Sequence, residues 1–179
     1  MRIAISGTHY SGKTTLVEAL SEALPQYLIV EEPYALLAEE GEVFSDPPSL
    51  EDFELQLDRS VENLDERGPD VIFDRCPVDI LGYILIHPDA DAFAVETWLS
   101  RVQAAVRTLD VIVFLPIEEP DRIDLPLSQD AGYRKRVDEK LKELLLDDTL
   151  GLDVEALTIS GSLPVRAERV LAFIGKEKK

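Results

Sequence analysis

Apolar and polar positions along this chain switch repeatedly between two periods, and each switch marks an element boundary. Met1-Arg2-Ile3-Ala4-Ile5-Ser6 holds an apolar run short enough for a buried strand. From Thr15 to Leu24 the apolar residues return at helical spacing, so a helix follows. Tyr27-Leu28-Ile29-Val30 reads as a second strand ending at Glu31-Glu32-Pro33, and residues 41–49, with Gly41, Pro47 and Pro48, as a loop. Ser49 is a suitable N-cap for a helix to about Glu66, with Phe53, Leu57, Val61 and Leu64 on one face, until Gly68-Pro69 breaks it. Val71-Ile72-Phe73 is a third strand, closed by Asp74-Arg75. Helices are expected over 78–86 and 92–109, the second with Val95, Trp98, Leu99, Val102 and Val106 inward and with Phe93 and Trp98 in the core. Val111 to Leu115 is a fourth strand. Residues 116–130 hold three Asp, two Glu and three Pro without periodicity and are expected to be mobile. A helix over 132–148, a strand near Leu157-Thr158-Ile159 and a helix over 164–174 complete the chain, with Lys176-Glu177-Lys178-Lys179 expected to fray.

Strand and helix in alternation predict an α/β fold: five parallel strands with helices on both faces. No repeat or linker divides the 179 residues, so the expectation is one domain over 1–179. Charge narrows the function classes. Thirty-six acidic residues against 18 basic ones give a net charge of −18, a field that opposes nucleic acids and anionic membranes. A single cysteine, Cys76, excludes an internal disulfide and reads as a packing residue. No apolar stretch approaches bilayer length, and the N-terminus reads as a strand rather than a leader; a cytoplasmic protein is expected.

Chemistry is concentrated first at Gly7-Thr8-His9-Tyr10-Ser11-Gly12-Lys13-Thr14, which fits Gly-x-x-x-x-Gly-Lys-Ser/Thr between a strand and a helix. Gly7 and Gly12 let the backbone curl so that amides point at a polyphosphate, and the helix N-terminus adds partial positive charge. Gly7, Thr8, Ser11, Gly12, Lys13, Thr14 and Thr15 are the candidate nucleotide-binding residues, with Lys13 at the β- and γ-phosphates and Thr14 offering a hydroxyl to Mg²⁺.

Other candidates lie past the C-terminal ends of strands, the rim where open α/β sheets bind ligands. Asp74 closes an apolar strand, the pattern of a carboxylate that holds Mg²⁺. Glu31 and Glu32 follow the second strand, placed to accept a proton from an attacking hydroxyl, with Glu31 favoured. Arg122 and Arg134, with Arg136 beside them, belong to a lid over about 116–136 that would bring positive charge onto a transferring phosphate; Lys135 reads as a solvated face. Arg75, Asp79, Tyr83 and Gln56 are candidate substrate contacts, whereas His9 reads as solvent-facing or a minor contact. Two distant histidines and one cysteine give no support for a zinc site.

These residues together resemble small P-loop kinases of the nucleoside and nucleotide kinase class. The chain looks similar to AAA_28-type ATPase/kinase domains, which include the ribosylnicotinamide kinase domain of NAD biosynthesis proteins. The resemblance rests on Gly7–Thr14, on Glu31-Glu32-Pro33, on Val71 to Arg75 with Asp79, and on Arg122 ahead of Tyr133-Arg134-Lys135-Arg136-Val137-Asp138. It implies Lys13, Thr14 and Asp74 at Mg-ATP, Glu31 or Glu32 at the acceptor, and Arg122 and Arg134 in the lid. One departure is Cys76-Pro77, where deoxynucleoside kinases usually carry a hydroxyl residue. The expected activity is transfer of the γ-phosphate of ATP, with Mg²⁺, to a nucleoside-like or nucleotide acceptor, with a homodimer left open. A nucleotide-switched regulatory ATPase is the alternative; the absence of an Asn-Lys-x-Asp motif argues against a GTPase form of it.

Overall fold

Five strands, all parallel, form one sheet in the order β2-β3-β1-β4-β5: Arg2–Ser6 (β1), Leu28–Val30 (β2), Val71–Asp74 (β3), Val111–Phe114 (β4) and Ala156–Thr158 (β5). The structure, a computed structural model, describes residues 1–66 and 68–177. Seven α-helices connect and cover the strands among these residues: Lys13–Ala23 (α1), Pro33–Glu39 (α2), Leu50–Glu66 (α3), Pro77–Ile84 (α4), Val95–Val106 (α5), Ala131–Leu145 (α6) and Leu163–Glu177 (α7).

The unbroken apolar runs of the strands follow from burial on both faces. Successive side chains point to opposite sides, so Ile3 and Ile5, with Ile72, Val111 and Val113, pack against Leu16, Val17 and Leu20 of α1 and Val170 and Ile174 of α7. Ala4, Phe73, Ile112 and Phe114 face the other way, onto α3, α4, α5 and α6 through Leu57, Val61, Ile84, Val102, Val106, Leu141 and Leu144. Each fully buried aliphatic side chain contributes about 1.5–3 kcal/mol, and the two layers hold the sheet rigid beneath its rim.

Element boundaries depart from the sequence reading in a few places. Helix α2 was not expected: Pro33 occupies its first turn, where a missing N–H costs nothing, and Glu32 precedes it in extended conformation. The helix expected over 92–109 is preceded by a 3-10 turn at Ala90–Ala92 and begins only at Val95, because the chain is extended at Phe93. Phe93 is buried and stacks on the half-buried Trp98 with ring centroids 6.5 Å apart. Asp130 caps α6 by accepting the Tyr133 N–H at 3.0 Å, so that helix starts one residue earlier than expected. Lys176 and Glu177 lie within α7 rather than in a frayed tail; Lys178 and Lys179 lie outside the described residues. Residues 116–130 carry no helix or strand and run mostly exposed, tied down where Asp138 accepts the Ile117 N–H at 2.9 Å.

Candidate active site

Because all strands are parallel, the segments after β1, β2 and β3 meet on one edge of the sheet. The loop after β1 is shaped by its glycines. Gly7 has φ 151° and no room for a Cβ, which would lie 2.7 Å from both the Leu115 carbonyl oxygen and Ser11 Oγ. Gly12, at φ 85°, precedes α1 in left-handed conformation, so the first amides of α1 face the concavity. Lys13 is buried, and its Nζ donates to the Thr8 carbonyl oxygen at 2.8 Å. Burial first, and then the positive charge of Arg75, bring its pKa down to about 7, so an anion in the loop would favour the charged form.

Thr14 Oγ1 donates to Asp74 Oδ2 at 2.8 Å, while Asp74 Oδ1 is buried without a hydrogen-bond partner. Burial raises the Asp74 pKa despite the opposing pull of Lys13 and Thr14. A hydroxyl beside a carboxylate with an orphaned oxygen is a hard-oxygen donor pair that fits Mg²⁺ shared with a ligand's phosphates. No cluster of three or more His, Cys, Asp or Glu side chains able to hold a metal occurs among the described residues, so a protein-only cage is not built here. Ser11 Oγ is a second buried polar atom of this region without a hydrogen-bond partner.

Arg75 connects the three segments. Its backbone is left-handed, with φ 75°, which turns the guanidinium back over the loop. Nε donates to Glu32 Oε2 at 2.8 Å, Nη1 donates to the Gly7 carbonyl oxygen at 3.2 Å, and the guanidinium carbon lies 5.4 Å from the centre of the Tyr83 ring. Burial lowers its pKa, but Tyr83, Asp79 and Glu32 outweigh that and hold it above the ordinary value.

Two cavities open at this junction. One, of about 380 Å³, is walled by the phosphate-loop residues Gly12, Lys13, Thr14 and Thr15. The other, of about 260 Å³, is walled by Tyr34, Phe53, Gln56, Tyr83, Gln129 and Tyr133. His9, Glu32 and Arg75 line both. Phe53 and Tyr83 stack with centroids 5.5 Å apart, giving the second cavity a flat aromatic wall.

The sequence-derived candidates separate accordingly. Gly12, Lys13, Thr14, Thr15, Glu32, Arg75, Tyr83 and Gln56 lie on one or both cavities. Glu31 does not: it is exposed and lines a neighbouring hollow together with Glu32, Thr14 and Asp74, so of the two glutamates Glu32 alone reaches the two cavities. Asp79 is fully buried and is not a substrate contact; it accepts from Ser6 Oγ at 3.0 Å, the Gly7 N–H at 2.9 Å and the Cys76 N–H at 2.9 Å. It thereby fixes the start of the phosphate loop to α4. Arg134 is 4% exposed and not held free in a lid, because it donates to the carbonyl oxygens of His9 at 3.0 Å and Tyr10 at 2.8 Å and pairs with Asp121. Arg136 is exposed over the Tyr133 ring, 5.6 Å from its centre, and lines neither cavity. Arg122 lines a third hollow with Gly12, Thr15 and Leu163, and its Nε donates to Glu118 at 2.6 Å. Thr8 is fully buried, with Oγ1 donating to the Arg134 carbonyl oxygen at 3.3 Å.

Several contributors were not found from the sequence. His9, read as solvent-facing or a minor contact, is half-buried and lines both cavities; burial, together with Arg75, Lys13 and Arg134, pushes its pKa down to about 4, so the ring is neutral. Arg166 donates to the Ser11 carbonyl oxygen at 2.7 Å and to Glu118 at 2.8 Å, and Glu118 also accepts the Gly161 N–H at 2.8 Å. No local motif marks Arg166 or Glu118, since their partners are distant in sequence.

A strand, a glycine cradle and a helix beginning at Lys13-Thr14, with Asp74 on the neighbouring strand, define a P-loop protein. The AAA_28 family model, described as an AAA domain, matches residues 2–166, and the chain belongs to that family. Among curated proteins, none matches it. Its fold is shared with deoxyadenosine kinase from M. mycoides, solved with dCMP and a flexible dCDP, at TM-score 0.67 and 15% identity over 98% of this chain and 100% of that one. Thymidylate kinase from Candida albicans gives TM-score 0.63 and 16% identity over 98% and 91%. NadR in complex with NAD and AMP-PNP gives TM-score 0.69 and 17% identity over 97% of this chain but 48% of that one. The fold is thus that of the P-loop nucleoside and nucleotide kinases. No helix among the described residues is long and apolar enough to cross a membrane.

Proposed function

We propose that this protein is an ATP-dependent phosphotransferase that moves the γ-phosphate of ATP to a nucleoside-like or nucleotide acceptor. The observation that carries the reading is the common wall of His9, Glu32 and Arg75 between the phosphate-loop cavity and the aromatic cavity. A donor and an acceptor seated on either side would meet at a carboxylate, which is the arrangement phosphoryl transfer needs.

In this reading the loop amides and Lys13 bind the triphosphate tail, and Glu32 accepts the acceptor's proton. Thr14 and Asp74 would hold Mg²⁺, which when bound offsets charge on the phosphate oxygens. Arg75 orients Glu32 through the 2.8 Å ion pair. Arg122 and the mostly exposed residues 116–130 form the lid of a single domain spanning 1–179, and Arg134 anchors the start of α6 to the phosphate loop. The kinases sharing the fold support the reaction class.

Incubation with Mg-ATP and a panel of nucleosides and nucleotides tests the reading. ADP production that requires an acceptor, with one phosphorylated product per ADP, supports it. Phosphate release at the same rate with and without every acceptor contradicts it and favours a nucleotide-switched ATPase.

A further inference from the structure

Among the described residues, the aromatic cavity contains a carboxylate but no cation without a carboxylate partner, and the two classes of acceptor need opposite things from it. A hydroxyl acceptor has a proton to lose and requires a positioned carboxylate. A phosphate acceptor is already an anion near neutral pH, and requires positive charge to approach another phosphate.

Among the described residues lining the cavity, the ionisable side chains with charge to offer are Glu32 and Arg75. Arg75 is charge-paired: Nε donates to Glu32 at 2.8 Å and Nη1 to the Gly7 carbonyl oxygen at 3.2 Å, with Asp79 Oδ1 3.8 Å from Nη1. Glu32 offsets the one cation on the cavity wall, and Asp79 lies beside it, so the wall itself offers no net positive charge. His9 adds no charge, because burial and the neighbouring cations keep its ring neutral. The next cations lie outside the cavity lining. Lys13 serves the loop cavity, Arg134 is held by His9, Tyr10 and Asp121, and Arg136 is exposed over Tyr133 outside the cavity lining. The remaining walls are aromatic or amide: Phe53, Tyr83, Tyr133, Gln56 and Gln129. A whole-chain charge of −18 adds to the penalty on an anionic acceptor.

We infer that the acceptor is an uncharged, phosphate-free molecule carrying a flat ring and a free hydroxyl, of the nucleoside class, and that nucleoside monophosphates are rejected at this cavity. This inference rests on the phosphotransferase reading above. In the step it implies, the acceptor's hydroxyl oxygen bonds to the γ-phosphorus while the bond from that phosphorus to the β–γ bridging oxygen breaks. The hydroxyl proton passes to the Glu32 carboxylate, and the nucleoside diphosphate leaves.

The test compares each nucleoside with its own 5′-monophosphate as acceptor, under saturating Mg-ATP, in the wild-type protein and in Gln129→Lys. For at least one base the wild-type kcat/KM is expected to favour the nucleoside by about tenfold or more. Gln129→Lys, which places a cation at the cavity wall, is expected to narrow that ratio. Turnover of monophosphates equal to or better than that of nucleosides overturns the inference and leaves the phosphotransferase reading standing. A ratio that Gln129→Lys does not move overturns charge as the cause of selection. Turnover of neither class contradicts the phosphotransferase reading itself, and the inference falls with it.

Discussion

The Tyr83 hydroxyl accepts the main-chain N–H of His9 at 2.9 Å, so a side chain of the aromatic cavity anchors the backbone of the phosphate loop. The same oxygen lies 3.1 Å from His9 Nδ1. Removing the hydroxyl leaves a partly buried amide without this acceptor, at a cost of about 1–3 kcal/mol. Tyr83→Phe keeps the ring stacked on Phe53 and is therefore expected to raise the KM for the triphosphate about tenfold, with unchanged circular dichroism. An unaltered triphosphate KM would show that the loop holds its shape without Tyr83.

Glu32, and not Glu31, borders both cavities. Removal of a general base lowers turnover by about 10²–10⁴-fold, so Glu32→Gln is expected to lose kcat in that range while the affinity for triphosphate changes little. Glu31→Gln is expected to retain most activity. Steady-state kinetics on both variants decides the matter, and the reverse ranking would return the role to Glu31.

Asp79 serves stability rather than ligand contact. Its carboxylate satisfies Ser6, Gly7 and Cys76 in a site with no solvent exposure. Asp79→Ala strands those donors and is expected to destabilise the fold by about 3 kcal/mol, read from chemical denaturation. A loss of activity at undiminished stability would instead assign Asp79 to the chemistry.

Glu118 sets an acid limit. Burial raises its pKa, but the Gly161 N–H and the hydrogen bonds from Arg166 and Arg122 prevail and hold it at about 2, below the usual 4.5. A carboxyl depressed in the folded state contributes stability that is complete above the unfolded pKa and lost as protons bind. The loss therefore runs from about pH 4.5 downward to about pH 2. Glu118→Gln is expected to flatten the fall of Tm across that window, and a Tm profile parallel to the wild type would contradict the assignment.

The order of strands and helices was legible because each strand is a short apolar run and each major helix carries a periodic face; Ile3 to Ile5 and the stripe from Phe53 to Leu64 are examples. The phosphate loop was legible for a different reason: amides, a lysine and a hydroxyl must follow one another at fixed spacing. Asp74 followed from its place at a strand end. What escaped the sequence was direction and commitment. The neighbouring glutamates at 31 and 32 share one hollow, but Glu32 alone reaches the two cavities, at a turn set by α2, which was itself not foreseen. Arg134 has the composition of a lid residue, yet its donors are taken by carbonyls more than a hundred positions away. Arg166 and Glu118 form a pair that only folding creates.

The central claim is that the loop around Lys13 delivers a phosphate across the wall formed by His9, Glu32 and Arg75. ATP bearing an isotopic label in its γ-phosphate tests this most directly, with nucleosides as acceptors and with Lys13→Ala beside the wild type. The account predicts label in a phosphorylated nucleoside, in equal amount to the ADP formed, and none transferred by the variant. Label found only in inorganic phosphate, or transferred equally by Lys13→Ala, would contradict it.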